Sequence, residues 1–322
     1  MKGPYRASYV TVRKRLVGVG VGFLAILAAL AVYTQVEVRR AEGRFPPVGQ
    51  FVTVHGIRLH YVDRGTGAPT GAPVVLLHGN PGFVQDFLPL VDSLGRTHRV
   101  IAFDRPGHGY SARASAAGTT PHDQVQLIHD ALAQLGVSRT IVVGHSWGGA
   151  LALLYTLEHP REVDRLVLIG TRAFPSTGGA DPVYALNRTP IIGALFRYTA
   201  LLPVGRALVE RRLASAYAPD TVRHDHLEAA RALWLRPSQV AATVWDTRNL
   251  DRELREASTR YAGMRVPVIV ICGARDELLP ESKRLATAIP GAQLVVVPKT
   301  GHEAQLTRTA IVLDAIRQQP SR

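Results

Sequence analysis

The stretch that most constrains the fold of this chain is residues 144–148, Gly-His-Ser-Trp-Gly. An apolar run at residues 140–143 precedes it, and a helix-like run at residues 150–155 follows it. A serine on a sharp turn between a buried strand and a helix is held in a strained backbone conformation, and glycines beside it let strand and helix approach closely. The pattern therefore predicts a nucleophile elbow, with the Ser146 hydroxyl exposed above the end of a strand and the first N–H groups of the helix beside it.

A histidine base and a carboxylate must accompany such a serine, because its hydroxyl is a weak nucleophile at neutral pH. Asp276 comes soon after the apolar run 266–272, and His302 comes after the apolar run 293–297 and a turn. The carboxyl ends of parallel strands meet at one edge of a sheet, where the elbow also lies. Ser146, Asp276 and His302 are therefore predicted to converge as a catalytic triad in the chain order serine, acid, histidine.

Other residues compete for the roles of base and acid. Of the twelve histidines, His302 alone combines a preceding strand, a turn glycine and the required chain order. Four others lie in glycine-rich turns or at a helix end: His78, His108, His145 and His159. Asp276 is favoured as the acid over Glu277 and Glu303 because it lies directly after the strand turn, although an aspartate there can also cap a turn or a helix.

An oxyanion hole is predicted from the loop after another strand. The apolar run 74–77 leads into residues 78–82, His-Gly-Asn-Pro-Gly, a backbone-permissive loop that can bring an N–H group close to the serine. Asn80 is the candidate donor from this loop, and Trp147 supplies the second N–H from the start of the helix after the serine. Both donors would bind the oxygen on which negative charge develops. An ordinary tight turn is the alternative for this loop.

Strand and helix patterns alternate along most of the chain. Residues 51–54 and 57–62 form a predicted antiparallel hairpin. Six short apolar runs follow, typical of strands covered on both faces, at residues 74–77, 100–103, 141–143, 166–169, 268–271 and 294–297. Helical patterns separate these runs, so the predicted fold is α/β with a doubly wound, mostly parallel sheet, formed by residues 46–171 and 264–322.

The alternation lapses in residues 172–263, where helical patterns occupy residues 183–202, 206–217, 221–235 and 238–257. Since this insertion begins just after the strand that follows the serine, it is predicted to be a helical cap over the active site. The cap contributes candidate pocket residues, although packing within the cap is the more frequent role of such side chains. These candidates are Tyr184, Phe196, Tyr198, Trp234 and Trp245.

The motifs resemble those of the α/β-hydrolase superfamily from about residue 48 to residue 318. The matching pieces are residues 78–82, residues 104–111, residues 144–149, Asp276 and residues 301–302. The resemblance implies the triad of Ser146, Asp276 and His302 with hydrolase activity. No cofactor is expected. It also implies that residues 104–111 are a non-catalytic loop of the fold.

Details of the motifs separate several branches of this superfamily. The loop with Asn80, together with Trp147 directly after the nucleophile, looks like haloalkane dehalogenases. Those enzymes and epoxide hydrolases use an aspartate nucleophile, which disfavours both chemistries here because the position is Ser146. Ser-Trp-Gly also resembles proline iminopeptidases, which carry glycine in place of Asn80. Carbon–carbon bond hydrolases of aromatic ring-cleavage products share the serine triad.

The favoured hypothesis is a serine hydrolase that cleaves an ester or thioester of a small to medium apolar substrate through an acyl-enzyme. A carbon–carbon bond hydrolase or an aminopeptidase-like hydrolase with the same triad is the alternative. A non-catalytic ligand receptor on this fold is disfavoured because a receptor does not need all three catalytic groups in order.

The first 45 residues are predicted to target the chain to a membrane. Residues 16–33 are 18 residues without a charge, which can just cross a hydrocarbon core of roughly 30 Å. Residues 13–15, Arg-Lys-Arg, favour an N-terminus in the cytoplasm and a single-pass anchor with the catalytic domain exported. A cleaved signal peptide is the alternative, with small residues at positions 29–31 and a secreted or periplasmic product.

The net charge of +13 is unevenly placed, because the leader holds eight basic and two acidic residues and so contributes +6. The remaining excess is spread along the chain without a basic cluster interleaved with aromatic residues, so no nucleic-acid partner is expected. No histidine pair or cysteine cluster has ligand spacing in the sequence, so no metal site is expected. The single cysteine, Cys272, excludes an internal disulfide and is expected to be a small buried hydrophobe.

Overall fold

The structure, a computed structural model, describes residues 5–65, 71–113, 120–176, 178 and 182–318, with side chains from residue 13 onward except at residues 182–184. Within these residues one sheet contains eight strands. The strands are β1 (Gln50–Val54), β2 (Ile57–Arg64), β3 (Val74–Leu77), β4 (Val100–Phe103), β5 (Thr140–His145), β6 (Val163–Ile169), β7 (Val268–Gly273) and β8 (Gln293–Val297). Their spatial order is β1-β2-β4-β3-β5-β6-β7-β8.

The sheet is parallel except at one side, which confirms the predicted fold class. Strands β1 and β2 form the predicted antiparallel hairpin, and β2 also pairs antiparallel with β4. Strands β4, β3, β5, β6, β7 and β8 pair in parallel. All parallel strands therefore end at one edge of the sheet, where the loops that carry the candidate site residues begin.

Helices cover both faces of the sheet. The helices outside the insertion are α1 (Tyr5–Arg44), α2 (Leu88–Leu94), α3 (Pro121–Gln134), α4 (Trp147–Glu158), α10 (Leu279–Ala288), α11 (Ala304–Thr307) and α12 (Thr309–Arg317). Successive residues of a strand point to opposite faces, so Val75 and Leu77 pack in the layer with α3, α4 and α10, whereas Val74 and Leu76 pack in the layer with α2 and α12.

Strand β8 departs from the prediction of strands buried on both faces. It lies at the edge of the sheet, and Val296 is 39% exposed although it belongs to an apolar run. An apolar run predicts a central strand even when the strand lies at the edge, because composition does not reveal which strands lie beside it.

The insertion between β6 and β7 is helical, as predicted, but more broken than the sequence pattern suggested. It contains α5 (Pro182–Asn187), α6 (Pro190–Thr199), α7 (Leu201–Tyr217), α8 (His224–Leu233) and α9 (Pro237–Ala257). Residues 183–202 form parts of three helices because Pro190 begins a new helix, and α6 and α7 meet at an angle of 82°. We call residues 182–257 the helical insertion.

Helix α1 is much longer than its apolar segment. Its 40 residues span about 60 Å, and it is long and apolar enough to cross a bilayer. Its C-terminal part contacts α6 and α8 of the insertion. Ion pairs join Glu37 to Arg206 at 2.9 Å and Arg44 to Glu228 at 3.0 Å. The C-terminal part of the leader therefore packs on the insertion.

Candidate active site

Ser146 occupies the turn between β5 and α4 with a backbone φ of 54° and ψ of −118°. This conformation is unfavourable for a residue with a side chain, so the surrounding structure must impose it. A Cβ atom at Gly148 would lie 2.2 Å from the Leu77 carbonyl oxygen, and one at Gly149 would lie 2.2 Å from Thr171 Oγ1. The predicted elbow is present, and its glycines are required by close approach of the neighbouring strands.

Asp276 and His302 meet at the same edge of the sheet. Asp276 follows β7 and His302 follows β8, and His302 Nδ1 lies 2.9 Å from Asp276 Oδ2. The other carboxylate oxygen of Asp276 accepts the N–H of Leu278 at 2.9 Å, which fixes the carboxylate. Ser146, Asp276 and His302 line one cavity, so the structure brings together the three residues that the sequence singled out.

The electrostatics of this pair suit a histidine that accepts a proton. Burial disfavours the charged imidazole, but the hydrogen bond and the negative charge of Asp276 outweigh it, so the pKa of His302 is raised above its ordinary value. For Asp276, burial raises the pKa, and the bond to His302 outweighs this effect, so the pKa is lowered. Asp276 is therefore ionised at neutral pH and stabilises an imidazolium at His302.

Contacts on the other sides of His302 fix its backbone and exclude competing acids. Its N–H donates to the Ala216 carbonyl oxygen at the end of α7, at 2.7 Å. The His145 ring lies 4.6 Å from the His302 ring, and burial lowers the pKa of His145 to about 4, so His145 is neutral at pH 7. Glu303, a competing acid in the sequence, approaches His145 at 4.0 Å and bonds to Gln305, whereas Asp276 bonds to the His302 ring.

The two candidate oxyanion donors lie beside the serine. Trp147 is the first residue of α4, so its N–H has no acceptor within that helix. Asn80 lines the cavity in the loop after β3, and a Cβ at the adjacent Gly79 would lie 3.2 Å from Ser146 Cβ. The Asn80 side-chain amide donates to the Thr243 carbonyl oxygen at 3.0 Å and so ties the loop to α9.

The insertion forms one wall of the cavity, whose volume is about 1220 Å³. Apolar side chains from the insertion line this wall: Leu201, Leu208, Val209, Leu213, Trp234, Leu235 and Val240. Of the predicted pocket aromatics, Trp234 lines the cavity, whereas Phe196, Tyr198 and Trp245 do not. The side chain of Tyr184 lies outside the described residues. The cavity thus combines a polar floor at the sheet edge with an apolar wall.

A buried polar cluster behind the elbow was not predicted. The Arg105 guanidinium is fully buried, donates to Asp246 Oδ2 at 2.7 Å and lies 4.0 Å from the centre of the Trp147 ring. His108 and Gln124 also bond to the Asp246 carboxylate, at 2.9 Å each. Asp246 lies on the buried side of α9, but the three side chains that bond to it are more than 100 positions away in the chain. The sequence alone therefore does not reveal the cluster.

A second unpredicted group lies on the surface of α3 and the end of α4. His129, His159 and Glu162 offer ligand atoms within 4.8 Å of one another, and the two imidazole rings stack with centroids 4.1 Å apart. His129 and His159 are 30 positions apart, so the spacing of ligand residues along the sequence does not reveal the pair. The expectation of no metal site stays a prediction.

Comparison with known proteins agrees with this architecture. A family described as the alpha/beta hydrolase fold matches residues 72–309. The chain belongs to the α/β-hydrolase fold family. It is 30% identical over 272 residues to a 2-hydroxymuconate semialdehyde hydrolase of Pseudomonas sp. (strain CF600), across 82% of this chain and 91% of that relative.

Two solved structures illustrate the similarity of the fold. An enol-lactonase from Burkholderia xenovorans LB400 has a TM-score of 0.68 at 21% identity and covers 83% of this chain and 98% of its own. A membrane phospholipase A described as a bacterial virulence factor has a TM-score of 0.66 at 20% identity. That match covers 98% of this chain and all of the phospholipase, so it extends over the N-terminal helix as well.

Proposed function

We propose that this α/β-hydrolase is a serine hydrolase that cleaves an ester or thioester of a small to medium apolar acid. The observation that carries the proposal is the 2.9 Å contact between His302 Nδ1 and Asp276 Oδ2 in the cavity that Ser146 lines. Such a contact holds the imidazole with Nδ1 protonated, which leaves Nε2 free to accept a proton. The apolar wall of the cavity supports an apolar acyl or alcohol group.

In the proposed reaction, Ser146 Oγ attacks the substrate carbonyl carbon while His302 Nε2 takes the hydroxyl proton. The backbone N–H groups of Asn80 and Trp147 donate to the oxyanion. The bond to the leaving oxygen or sulfur then breaks, and His302 returns the proton to it. Water attacks the acyl-enzyme with His302 again as base, and the acid is released as Ser146 recovers its proton.

A carbon–carbon bond hydrolase is a second candidate because of one comparison. A relative that is 30% identical is named as a hydrolase of 2-hydroxymuconate semialdehyde, and its similarity extends over 82% of this chain. The same three residues can serve carbon–carbon bond hydrolysis, since that reaction also begins with addition to a carbonyl carbon. Substrate preference therefore decides between the two.

A fluorophosphonate probe tests the proposed nucleophile directly. The full chain should be labelled, and Ser146→Ala should abolish labelling. Ser215→Ala is the matched control because Ser215 also lines the cavity but lies on α7, and it should retain labelling. A folded chain that does not react, or a Ser146→Ala variant that does, would refute the proposed nucleophile.

Turnover of two substrate classes tests the bond that is cleaved. Nitrophenyl esters should be hydrolysed with a larger kcat/KM than diketones from aromatic ring cleavage. The reverse order would replace ester hydrolysis with carbon–carbon bond hydrolysis. Both activities should disappear in Ser146→Ala.

We also propose that residues 16–33 anchor the chain in a membrane with the catalytic domain exported. The support is the length and apolarity of α1 together with the basic residues before the segment. The full chain should sediment with membranes and resist extraction by salt. A mature N-terminus at Val32, found by mass spectrometry of the native protein, would establish signal cleavage instead.

A further inference from the structure

Exposed apolar side chains concentrate on one part of the insertion. Outside α1, ten large hydrophobic residues are exposed among the described residues, and seven of them lie between Leu186 and Leu208. Those seven are Leu186, Ile191, Ile192, Leu195, Tyr198, Val204 and Leu208. A contiguous apolar surface of this kind on a soluble domain marks an interaction site.

Helix periodicity places these side chains on two continuous faces. Ile191, Leu195 and Tyr198 are separated by four and three positions, so they share one side of α6, and Ile191 is 83% exposed. Val204 and Leu208 are four positions apart and share one side of α7. We call these five residues together with Ile192 the apolar ridge.

The apolar ridge lies at the end of the segment of α1 that can cross a bilayer. Tyr198 faces a groove on α1 whose other walls are residues 31–39. The apolar segment ends at residue 33, and charged side chains resume at Glu37. Helix α6 therefore packs on α1 at the level where α1 would leave the hydrocarbon, which places the ridge at the surface of the same membrane.

The charges around the ridge fit this position. Arg188 and Arg206 are exposed beside it, and Arg39 and Arg40 follow the apolar segment on α1. Arg206 and Arg40 share one acidic partner, Glu37, so basic side chains remain in excess around the ridge. Basic side chains next to an apolar face favour the boundary between acyl chains and anionic headgroups. A water-exposed surface would not favour this arrangement of six apolar side chains.

The ridge continues into the cavity that contains Ser146. Leu208 belongs to both, and Arg211 and Arg212, one turn further along α7, also line the cavity. Helix α7 then ends at Tyr217, directly after the residue whose carbonyl oxygen accepts the His302 N–H. One helix thus leads from the apolar ridge to the sheet edge.

From these observations we propose that the apolar ridge is a lipid-binding surface that rests in the membrane leaflet from which α1 emerges. The mouth of the Ser146 cavity then opens at the lipid–water interface, and its substrate is an ester that partitions into the membrane. The substrate class rests on the proposed hydrolase activity, whereas the membrane contact rests only on the proposed anchor.

Fluorescence of the full chain in vesicles tests the membrane contact. The vesicles contain equal parts of phosphatidylcholine and phosphatidylglycerol, with or without lipids that carry a nitroxide near the headgroup. An environment-sensitive fluorophore on Ile192→Cys should emit at shorter wavelength and lose most of its emission to the nitroxide. The same fluorophore on Ala133→Cys, exposed on α3, should show neither effect. The unsubstituted chain controls for Cys272, which is buried.

Two results would overturn the membrane contact. One is emission from Ile192→Cys that equals that from Ala133→Cys in both kinds of vesicle. The other is emission from Ile192→Cys that moves to shorter wavelength as the density of protein in the vesicle rises but is not quenched by the nitroxide. In that case a second copy of the chain would cover the ridge.

Hydrolysis of two esters tests the substrate class. The double variant Ile191→Ser with Ile192→Ser should keep its rate on a water-soluble short ester and lose at least several-fold on a long-chain ester embedded in the same vesicles. Val296→Ser, which removes an exposed valine on β8, should change neither rate. If the double variant and the unsubstituted chain hydrolyse the embedded ester at the same rate, the substrate class is refuted. If the unsubstituted chain hydrolyses neither ester, the proposed function fails and fluorescence alone decides the membrane contact.

Discussion

The sheet and the helical insertion hold their parts of the site by different means. Strands β5, β7 and β8, which carry Ser146, Asp276 and His302 at their ends, are joined by backbone hydrogen bonds and buried between two apolar layers. The insertion meets the sheet edge through buried polar contacts, such as Asp246 with Arg105 and the Ala216 carbonyl with the His302 N–H. One helix also joins it to the core, since Leu250 and Leu254 of α9 pack in the apolar layer with α3 and α4.

This difference separates chemistry from access. Displacing Ser146 or Asp276 would require a change in the strands that precede them, whereas single substitutions can loosen the cavity wall that the insertion forms. Substitutions of the proposed triad should therefore lower the rate of hydrolysis with the fold preserved. Substitutions at the contacts between the sheet and the insertion should alter stability or substrate binding. The predictions below test that separation, from the largest expected effect to the smallest.

Asp276→Asn should reduce kcat by about ten-thousandfold on the precedent of serine proteases, because the amide would hold the wrong tautomer of His302. The fold should be unchanged, since the substitution preserves shape and the strand is fixed by its neighbours. Steady-state kinetics with a soluble ester and a thermal melt measure both effects. A rate near that of the unsubstituted chain would mean that another carboxylate, Glu277 or Glu303, orients the histidine.

Asp246→Ala should destabilise the fold by about 3–5 kcal/mol, because it leaves the fully buried Arg105 without its carboxylate. Glu256→Ala on the same helix is the matched control, since that side chain is exposed, and it should change stability by less than about 0.5 kcal/mol. Denaturant unfolding of the full chain in detergent measures the difference. Equal stability of the two variants would show that the insertion does not depend on this buried contact.

The pH dependence of hydrolysis should report the raised pKa of His302. The base must be neutral, so the rate should fall about tenfold per pH unit below that pKa, with a midpoint above the ordinary histidine value of about 6.5. In Asp276→Asn the residual activity should show a lower midpoint, because the group that raises the pKa has lost its charge. A midpoint that stays in place would assign the pH dependence to another group.

Glu37→Gln should have the smallest effect, since it removes ion pairs with Arg206 and Arg40, whose side chains are 53% and 74% exposed. The loss of stability should be below about 1 kcal/mol and should shrink further at high salt. Thermal melts at two salt concentrations measure it. A larger, salt-independent loss would mean that α1 supports the insertion by more than surface charge.

The sheet and the proposed triad could be predicted because their signals are local. Each parallel strand is a short apolar run, and Ser146 is followed by two glycines that the close approach of Leu77 and Thr171 demands. The order of β7, Asp276, β8 and His302 then needs only the rule that parallel strands end at one edge.

Other features depend on contacts between distant parts of the chain and could not be predicted. The acceptor for the buried Arg105 is Asp246 on α9, 141 positions along the chain. Whether Val296 is covered depends on the position of β8 at the edge. The docking of α1 on the insertion was missed for the same reason, because the apolar segment alone indicates a membrane and not a protein contact.

The backbone of Ser146 has a consequence for how sequence change is tolerated at this position. A residue without Cβ would adopt its φ of 54° at no cost, whereas a serine pays about 1–3 kcal/mol of conformational energy. Ser146→Gly should therefore abolish hydrolysis and unfold at a higher temperature than the unsubstituted chain. Stability and the proposed catalysis are in opposition at this single residue, so random mutation under selection for stability alone would tend to remove the proposed nucleophile, and only selection for turnover would retain it.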